Sequence, residues 1–209
     1  MYTVRITHHP ATGKAQQLRQ VVEERVKAAN AAGVPHSLAQ QMYAPPTLVT
    51  SIRHDSLAAL EAYGERNAGD PAYRAAVAKI TECIDGPLSS ELYQVIVPAQ
   101  PTGSVNYSLR IRYFSVPGKN GELRQALEER ANLPRAGAVG VGLTSQVAPS
   151  EGFNFVVNVL FSSLGGLGEF ADANRMDPSL LSFQAQTASL LARPVTQDLY
   201  RILMPFPAR

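Results

Sequence analysis

The sequence has few of the residues that mark secreted, metal-rich or nucleic-acid-binding proteins. Its 209 residues include one cysteine and no tryptophan, and one thiol excludes an intramolecular disulfide or a multi-cysteine metal site. Charged residues make up only 17% of the chain, and the formal net charge is +2. Nucleic-acid-binding domains instead concentrate Lys and Arg on one surface. We therefore expect a cytoplasmic protein without a nucleic-acid partner.

Long apolar runs are also missing. The longest, around residues 153–161, is far shorter than the roughly 20 residues that cross a bilayer. The N-terminal residues alternate in polarity and lack the apolar core of a signal peptide. Apolar residues nevertheless make up 45% of the chain, which is enough for a buried core. The sequence predicts a folded protein that has no membrane partner.

Two halves of the chain resemble each other. The segment 13–25 recurs 105 residues later, with Gly-Lys, Leu-Arg-Gln and Glu-Glu-Arg at the same spacing. The segment 56–71 recurs 107 residues later, again ending in Asp-Pro. Several blocks in the same order indicate an internal repeat. We predict two units, 1–98 and 105–209, joined by a linker at 99–104.

Each unit is predicted to run strand, helix, strand, strand, helix, strand. Residues 2–9 alternate as a strand does, and apolar residues from 18 to 29 recur at helical spacing. The pairs Asp70-Pro71 and Asp177-Pro178 are typical of a helix N-cap followed by proline at the first helical position. In the first hairpin, we expect Tyr43 to pair with Leu48.

This order predicts an α+β fold of two ferredoxin-like βαββαβ units, each an antiparallel sheet with its helices on one face. The other face of such a sheet stays bare within its own unit and favours association. We therefore predict that the two sheets pack face to face as a pseudo-dimeric α+β barrel.

A short signature supports this prediction. An aromatic residue, Asn and Asp-Pro occur as Tyr63, Asn67 and Asp70-Pro71, and again from Phe170 to Pro178. In this signature and in the order of its elements the chain resembles the dimeric α+β barrel superfamily, and within it the NIPSNAP-type and antibiotic-biosynthesis-monooxygenase-like domains. Members include cofactor-free oxygenases, haem-degrading enzymes and lactone isomerases, so the fold alone does not select a function.

The resemblance implies a protein that binds a small apolar or aromatic molecule in its first unit. One interpretation is a cofactor-independent enzyme, monooxygenase-like or isomerase-like. The alternative is a non-catalytic ligand-binding or protein-interaction module of NIPSNAP type. A homodimer of the two-unit chain is a further expectation.

The four histidines, His8, His9, His36 and His54, all lie in the first unit, which predicts one site per chain. We expect His8 on the helix side of the first strand, with the Tyr43 hydroxyl near it. A neutral imidazole there could act as a general base or orient a phenolic substrate, so His8 and Tyr43 are the predicted catalytic residues. The alternative is that His8 is a solvated residue at a strand end.

Arg5 and Arg110 occupy matching positions on the opposite strand face, which we expect to look into the barrel. A buried guanidinium needs a partner, either Glu91 and Asp198 in ion pairs or an anionic ligand. The predicted ligand-binding residues are Arg5, Arg110, His9 and His54.

No metal or cofactor is predicted. The expected hairpin register places His36 and His54 on opposite faces, and no HxH or HExxH spacing is present. Haem-degrading members of the resembled superfamily use an Asn, Trp and His set that cannot be mapped onto a chain without tryptophan. His9 and His54 are the candidates for an axial haem ligand.

Overall fold

The computed structural model describes residues 1–43, 47–147, 154–175 and 177–207. Its elements are β1 (Tyr2–His8), α1 (Ala15–Ala31), β2 (His36–Gln41), β3 (Leu48–His54), α2 (Leu57–Gly69), α3 (Pro71–Thr81), β4 (Ser89–Val97), β5 (Tyr107–Phe114), α4 (Asn120–Ala131), β6 (Gly140–Gln146), β7 (Asn154–Phe161), α5 (Leu164–Arg175), α6 (Pro178–Ala188) and β8 (Thr196–Met204). The same series of strands and helices thus occurs twice. Position 153, where the longest apolar run begins, lies outside the described residues.

The eight strands form one closed barrel in the order β1-β3-β2-β8-β5-β7-β6-β4. Each strand pair with a described register is antiparallel. Within each series the third strand lies between the first and the second, as in a ferredoxin-like sheet. The predicted α+β barrel is confirmed.

The chain forms two compact units. The first contains Met1–Leu92 and the residues from Ile202 onward, and the second contains Tyr93–Arg201. These boundaries fall inside β4 and β8. The division predicted from the repeat, with a linker at 99–104, stays a prediction.

In the first unit, the amphipathic face of α1 packs on the sheet. Leu18, Val22 and Val26 recur at helical spacing and are fully buried. They join a core cluster with Leu38, Leu48, Ile80 and Cys83. Burying each of these α1 side chains contributes about 1.5–3 kcal/mol, so this face holds the helix to the sheet.

The predicted Asp-Pro caps are present in both series. The Asp70 carboxylate accepts a hydrogen bond from the amide of Ala72, and Pro71 opens α3. The Asp177 carboxylate accepts one from the amide of Ser179 at the start of α6. Each cap satisfies one of the amides that a helix leaves without an internal partner.

In the second unit, two glycines allow two backbone segments to touch. Gly137 has a φ of +68°, and a Cβ built there would lie 2.0 Å from the carbonyl oxygen of Gly166 in α5. Only glycine fits such an approach. The glycine-rich stretches around residues 137 and 166 therefore have a packing role.

Candidate functional site

His8 is a buried residue at the end of β1. Its side chain shares the helix-facing side of the sheet with Leu48, its cross-strand partner and a member of the α1 core. Its Nε2 lies 3.1 Å from Oγ1 of Thr50. Its Nδ1 is buried and has no hydrogen-bond partner among the described residues. The solvated strand-end alternative is therefore wrong, because His8 is only 4% exposed.

The environment of His8 keeps its ring neutral. Burial, with smaller contributions from the positive charge of Arg25 and from the neighbouring His9, lowers its pKa from 6.5 to about 4. A neutral imidazole has one N–H and one lone pair. When Nε2–H donates to Thr50, Nδ1 presents its lone pair as a base.

Tyr43 does not share this burial. Its side chain is 82% exposed, and its predicted catalytic role stays a prediction. The position follows the last residues of β2, where the chain leaves the sheet. His9 is also exposed, and its Nδ1 lies 3.4 Å from Oγ1 of Thr47.

The observed register of the first hairpin corrects the predicted one. Gln40, not Tyr43, lies opposite Leu48, and His36 lies opposite Ile52. The shift of three residues is odd, and an odd shift moves every side chain of a strand to the other face. His36 and His54 therefore lie on the same face of the sheet. The prediction that they face opposite sides is wrong.

This shared face brings His36 and His54 to Tyr63 of α2. The Tyr63 ring centroid lies 6.0 Å from that of His36 and 5.1 Å from that of His54. Its hydroxyl lies 3.3 Å from Nε2 of His36, and Nη2 of Arg25 donates a hydrogen bond to it at 3.2 Å. Arg66 lies over the same ring, 5.6 Å from its centroid.

The two histidines beside Tyr63 are uncharged. Burial, with smaller contributions from Arg25 and His54, lowers the pKa of His36 to about 4, although its hydrogen bond to the carbonyl of Val34 acts in the opposite direction. Burial also lowers the pKa of His54, together with the charge of Arg66 and against the nearby carboxylate of Asp55. His54 Nε2 is buried and has no hydrogen-bond partner among the described residues.

Sequence reasoning missed Arg25 and Tyr63 as polar partners. A comparison of the two repeats could have indicated the polar role of Tyr63. Phe161 and Phe170 stand where the first unit has His54 and Tyr63, so both members of one contact differ in polarity together.

The two predicted interior arginines are both buried. Arg110 is 2% exposed, lies opposite Asp198, and donates a hydrogen bond to the hydroxyl of Tyr93. Asp198 also forms an ion pair with Arg112, at 4.0 Å. Arg5 is 9% exposed and lies opposite Ser51. That either arginine binds a ligand stays a prediction.

A cleft of about 420 Å³ opens between α1 and the sheet of the first unit. Gln40 and Leu48 lie on its sheet side, and both stand in one cross-strand row with His8. Its other lining residues come from α1: Ala15, Gln16, Arg19, Gln20 and Glu23. Neither His8 nor Tyr43 lines this cleft, so Leu48 separates His8 from it.

Two further properties bear on the expected partners. Across the described residues, no group of three or more His, Cys, Asp or Glu side chains is arranged to hold a metal ion. No helix within those ranges is long and apolar enough to cross a membrane.

Comparison with known proteins identifies the fold. No protein-family model and no curated protein matches the chain. Among solved structures, an anthrone oxidase-like protein aligns at a TM-score of 0.69 with 15% identity, over 97% of this chain and 91% of its own. A provisionally named monooxygenase from Fusobacterium nucleatum aligns at 0.74 with 12% identity, over 100% and 97%. Another from Lactobacillus acidophilus aligns at 0.69 with 8% identity, over 96% and 93%. The chain thus has the α+β barrel fold of monooxygenase-like proteins.

Proposed function

We propose that this protein is a monooxygenase-like enzyme that acts, without a bound cofactor, on a small aromatic molecule on the helix side of its first unit. The observation that carries the proposal is the buried, neutral His8 with an unpartnered Nδ1. A buried polar atom without a partner costs about 1–3 kcal/mol, so a substrate that supplies one is favoured. Tyr113 takes the place of His8 in the second unit, which favours one site per chain.

The anthrone oxidase-like neighbour suggests the substrate class, an aromatic ketone with an activated methylene group. His8 Nδ1 would accept a proton from the methylene carbon, leaving a carbanion delocalised onto the ketone oxygen. The carbanion reduces dioxygen and forms a carbon–oxygen bond, and the His8 imidazolium returns its proton to give a hydroperoxide. Loss of water then yields the new carbonyl group. The sum is R₂CH₂ + O₂ → R₂C=O + H₂O, with dioxygen as the only oxidant.

Two neighbours prepare His8 for this role. Thr50 holds Nε2 at 3.1 Å and thereby orients the ring, and the tautomer with Nε2–H leaves the lone pair of Nδ1 as the base. Burial and Arg25 disfavour the imidazolium, so the ring is neutral near pH 7 and the imidazolium, once formed, returns its proton readily. Leu48 lies between His8 and the cleft, so its side chain must move for a substrate to reach Nδ1.

The test uses anthrone in aerated buffer near pH 7, with oxygen uptake and anthraquinone absorbance as readouts. We expect the wild type to exceed the uncatalysed rate and His8→Gln to lose at least about a hundredfold, the lower range for a general base. Tyr113→Phe, the matched change in the second unit, is expected to keep the wild-type rate.

Two outcomes would overturn the proposal. An unchanged rate in a folded His8→Gln variant would remove His8 as the base. Binding of anthrone without oxygen uptake would favour the non-catalytic ligand-binding module of NIPSNAP type.

The remaining expectations go with this proposal. A cytoplasmic location is supported by the single cysteine, Cys83, which lies fully buried in the first core. The division into units 1–98 and 105–209, a homodimer, and ligand contacts from Arg5, His9, His54 and Arg110 are retained as proposals.

A further inference from the structure

Helix α2 is weakly attached to its own unit. No residue of the helix is buried, and Leu57 at its first position is 46% exposed. The corresponding helix α5 instead buries Phe170. Few buried apolar contacts are typical of segments that open locally at low cost. Tyr63 joins α2 to the sheet through its contacts with His36 and His54.

The hydroxyl of Tyr63 has one hydrogen-bond acceptor and one hydrogen-bond donor as partners. Nδ1 of His36 lies 2.9 Å from the carbonyl oxygen of Val34. A carbonyl only accepts, so this nitrogen has the proton and Nε2 is the acceptor. Tyr63 O–H therefore donates to Nε2 of His36, while its oxygen accepts from Arg25.

The aromatic ring of Tyr63 also packs against two histidine rings. The rings of His36 and His54 pack against it at 6.0 and 5.1 Å. Nε2 of His54 stays without a hydrogen-bond partner at a residue only 7% exposed. One nitrogen beside the phenol is thus available to a further polar group.

The second unit shows that the fold does not require these polar groups. Phe161 and Phe170 pack there at 5.5 Å in place of His54 and Tyr63. Val141 pairs with Val159 as His36 pairs with Ile52. Because buried polar side chains cost free energy that apolar ones do not, the polar set indicates recognition in addition to packing.

We propose that Arg25, His36 and His54 form a binding site for the phenol group of a small molecule, and that Tyr63 occupies this site when no ligand is present. Arg25 and His36 would make the same two hydrogen bonds to the ligand hydroxyl. Tyr63 would leave with α2, and His54 Nε2 would meet a second polar group on the ligand.

Tyr63 competes with any ligand because it is tethered to the site. A tethered group acts at an effective concentration in the millimolar range or above, so a phenol must displace it from the wild type. Removing the Tyr63 ring should therefore raise the affinity for a free phenol that matches the lost group.

The experiment measures p-cresol and toluene binding to Tyr63→Ala by calorimetry. We expect the variant to bind p-cresol at least tenfold more tightly than the wild type does, and at least tenfold more tightly than it binds toluene. The matched control is Phe170→Ala, folded by circular dichroism, which is expected to favour toluene. Equal affinity of Tyr63→Ala for p-cresol and toluene would overturn the proposal, because the polar groups would then add nothing.

A second measurement covers failure of Tyr63→Ala to fold. With saturating p-cresol, amide exchange of the wild type should rise across residues 57–69, because α2 is displaced, and unchanged exchange there would refute the proposal. The site does not require His8, which lies at the other end of β1. His8→Gln in the Tyr63→Ala background is therefore expected to keep p-cresol binding, so the two proposals can fail separately.

Discussion

The same contact is built twice in this protein with different chemistry. In the first unit His54 of β3 meets Tyr63 of α2 at 5.1 Å, with the rings inclined by 51°. In the second unit Phe161 of β7 meets Phe170 of α5 at 5.5 Å and 65°. The near-equal geometry shows that the fold specifies a ring-on-ring contact between helix and strand. Either polar or apolar rings can form this contact, so their polarity can differ between the units according to function.

The first helix of each unit, α1 or α4, also has an arginine at the same repeat position, and the two arginines have different partners. Arg25 on α1 donates to the Tyr63 hydroxyl and lies over the ring of Tyr73, 4.1 Å from its centroid. Arg130 on α4 instead binds the cap carboxylate of Asp177 at 3.1 Å. One arginine position thus serves a polar cluster in one unit and a helix cap in the other.

The largest expected effect concerns the apolar version of the contact. Phe170→Ala should lower the free energy of unfolding by about 3–5 kcal/mol, because it leaves a cavity beside Phe161. Tyr63→Phe should cost less, about 1–3 kcal/mol, since it keeps the ring but leaves Nε2 of His36 without a hydrogen-bond partner. Urea denaturation measures both. A loss from Tyr63→Phe as large as that from Phe170→Ala would contradict this ranking.

The second-largest expected effect is a loss of stability at acid pH that begins in the first unit. His8 and His36 have a pKa of about 4 in the folded protein and about 6.5 when unfolded. Between these values the unfolded chain binds more protons, so the free energy of unfolding falls as pH falls from about 6.5 to 4. The loss approaches about 3 kcal/mol for each histidine.

Urea unfolding at pH 7 and pH 4.5 checks this pH dependence. His8→Gln and His36→Gln should each flatten it, and amide exchange should rise first in the first unit, since Tyr93–Arg201 contains no histidine. The same pH dependence in both variants as in the wild type would contradict the assignment.

The smallest effect concerns the two Asp-Pro caps. Asp70→Ala should cost about 1 kcal/mol, the usual value for a lost N-cap. Asp177→Ala should cost more, because Arg130 also loses one of its hydrogen-bond partners. The hydrogen bonds from Ser179 and Arg130 lower the pKa of Asp177 to about 2. Parallel urea titrations measure both variants. A larger loss from Asp70→Ala would show that the Arg130 contact adds no stability.

Much of the fold could be predicted because its signals are local. Alternation marked β1, helical spacing marked α1, and Asp-Pro marked the starts of α3 and α6. The hairpin register could not be predicted in this way. It depends on how the connection between β2 and β3 closes, and one odd shift was enough to reverse the face of His36.

The candidate site was predicted less well than the fold. The position of His8 on the helix side could be predicted from strand alternation. The 82% exposure of Tyr43 was missed because the predicted register paired Tyr43 with Leu48. Tyr63 entered the sequence analysis only as part of the aromatic, Asn and Asp-Pro signature. Its hydrogen bonds depend on Arg25, 38 residues earlier, and periodicity within one element does not report such a partner.

The backbone contact between Gly137 and Gly166 restricts how the two units can diverge. A methyl group at 137 would collide with a carbonyl, which cannot turn aside as a side chain can. The start of α5 is thereby fixed to the chain before β6, and this arrangement tolerates no side chain at that point. α2 has no such constraint, so substitutions that alter specificity can accumulate there while its counterpart keeps its structure.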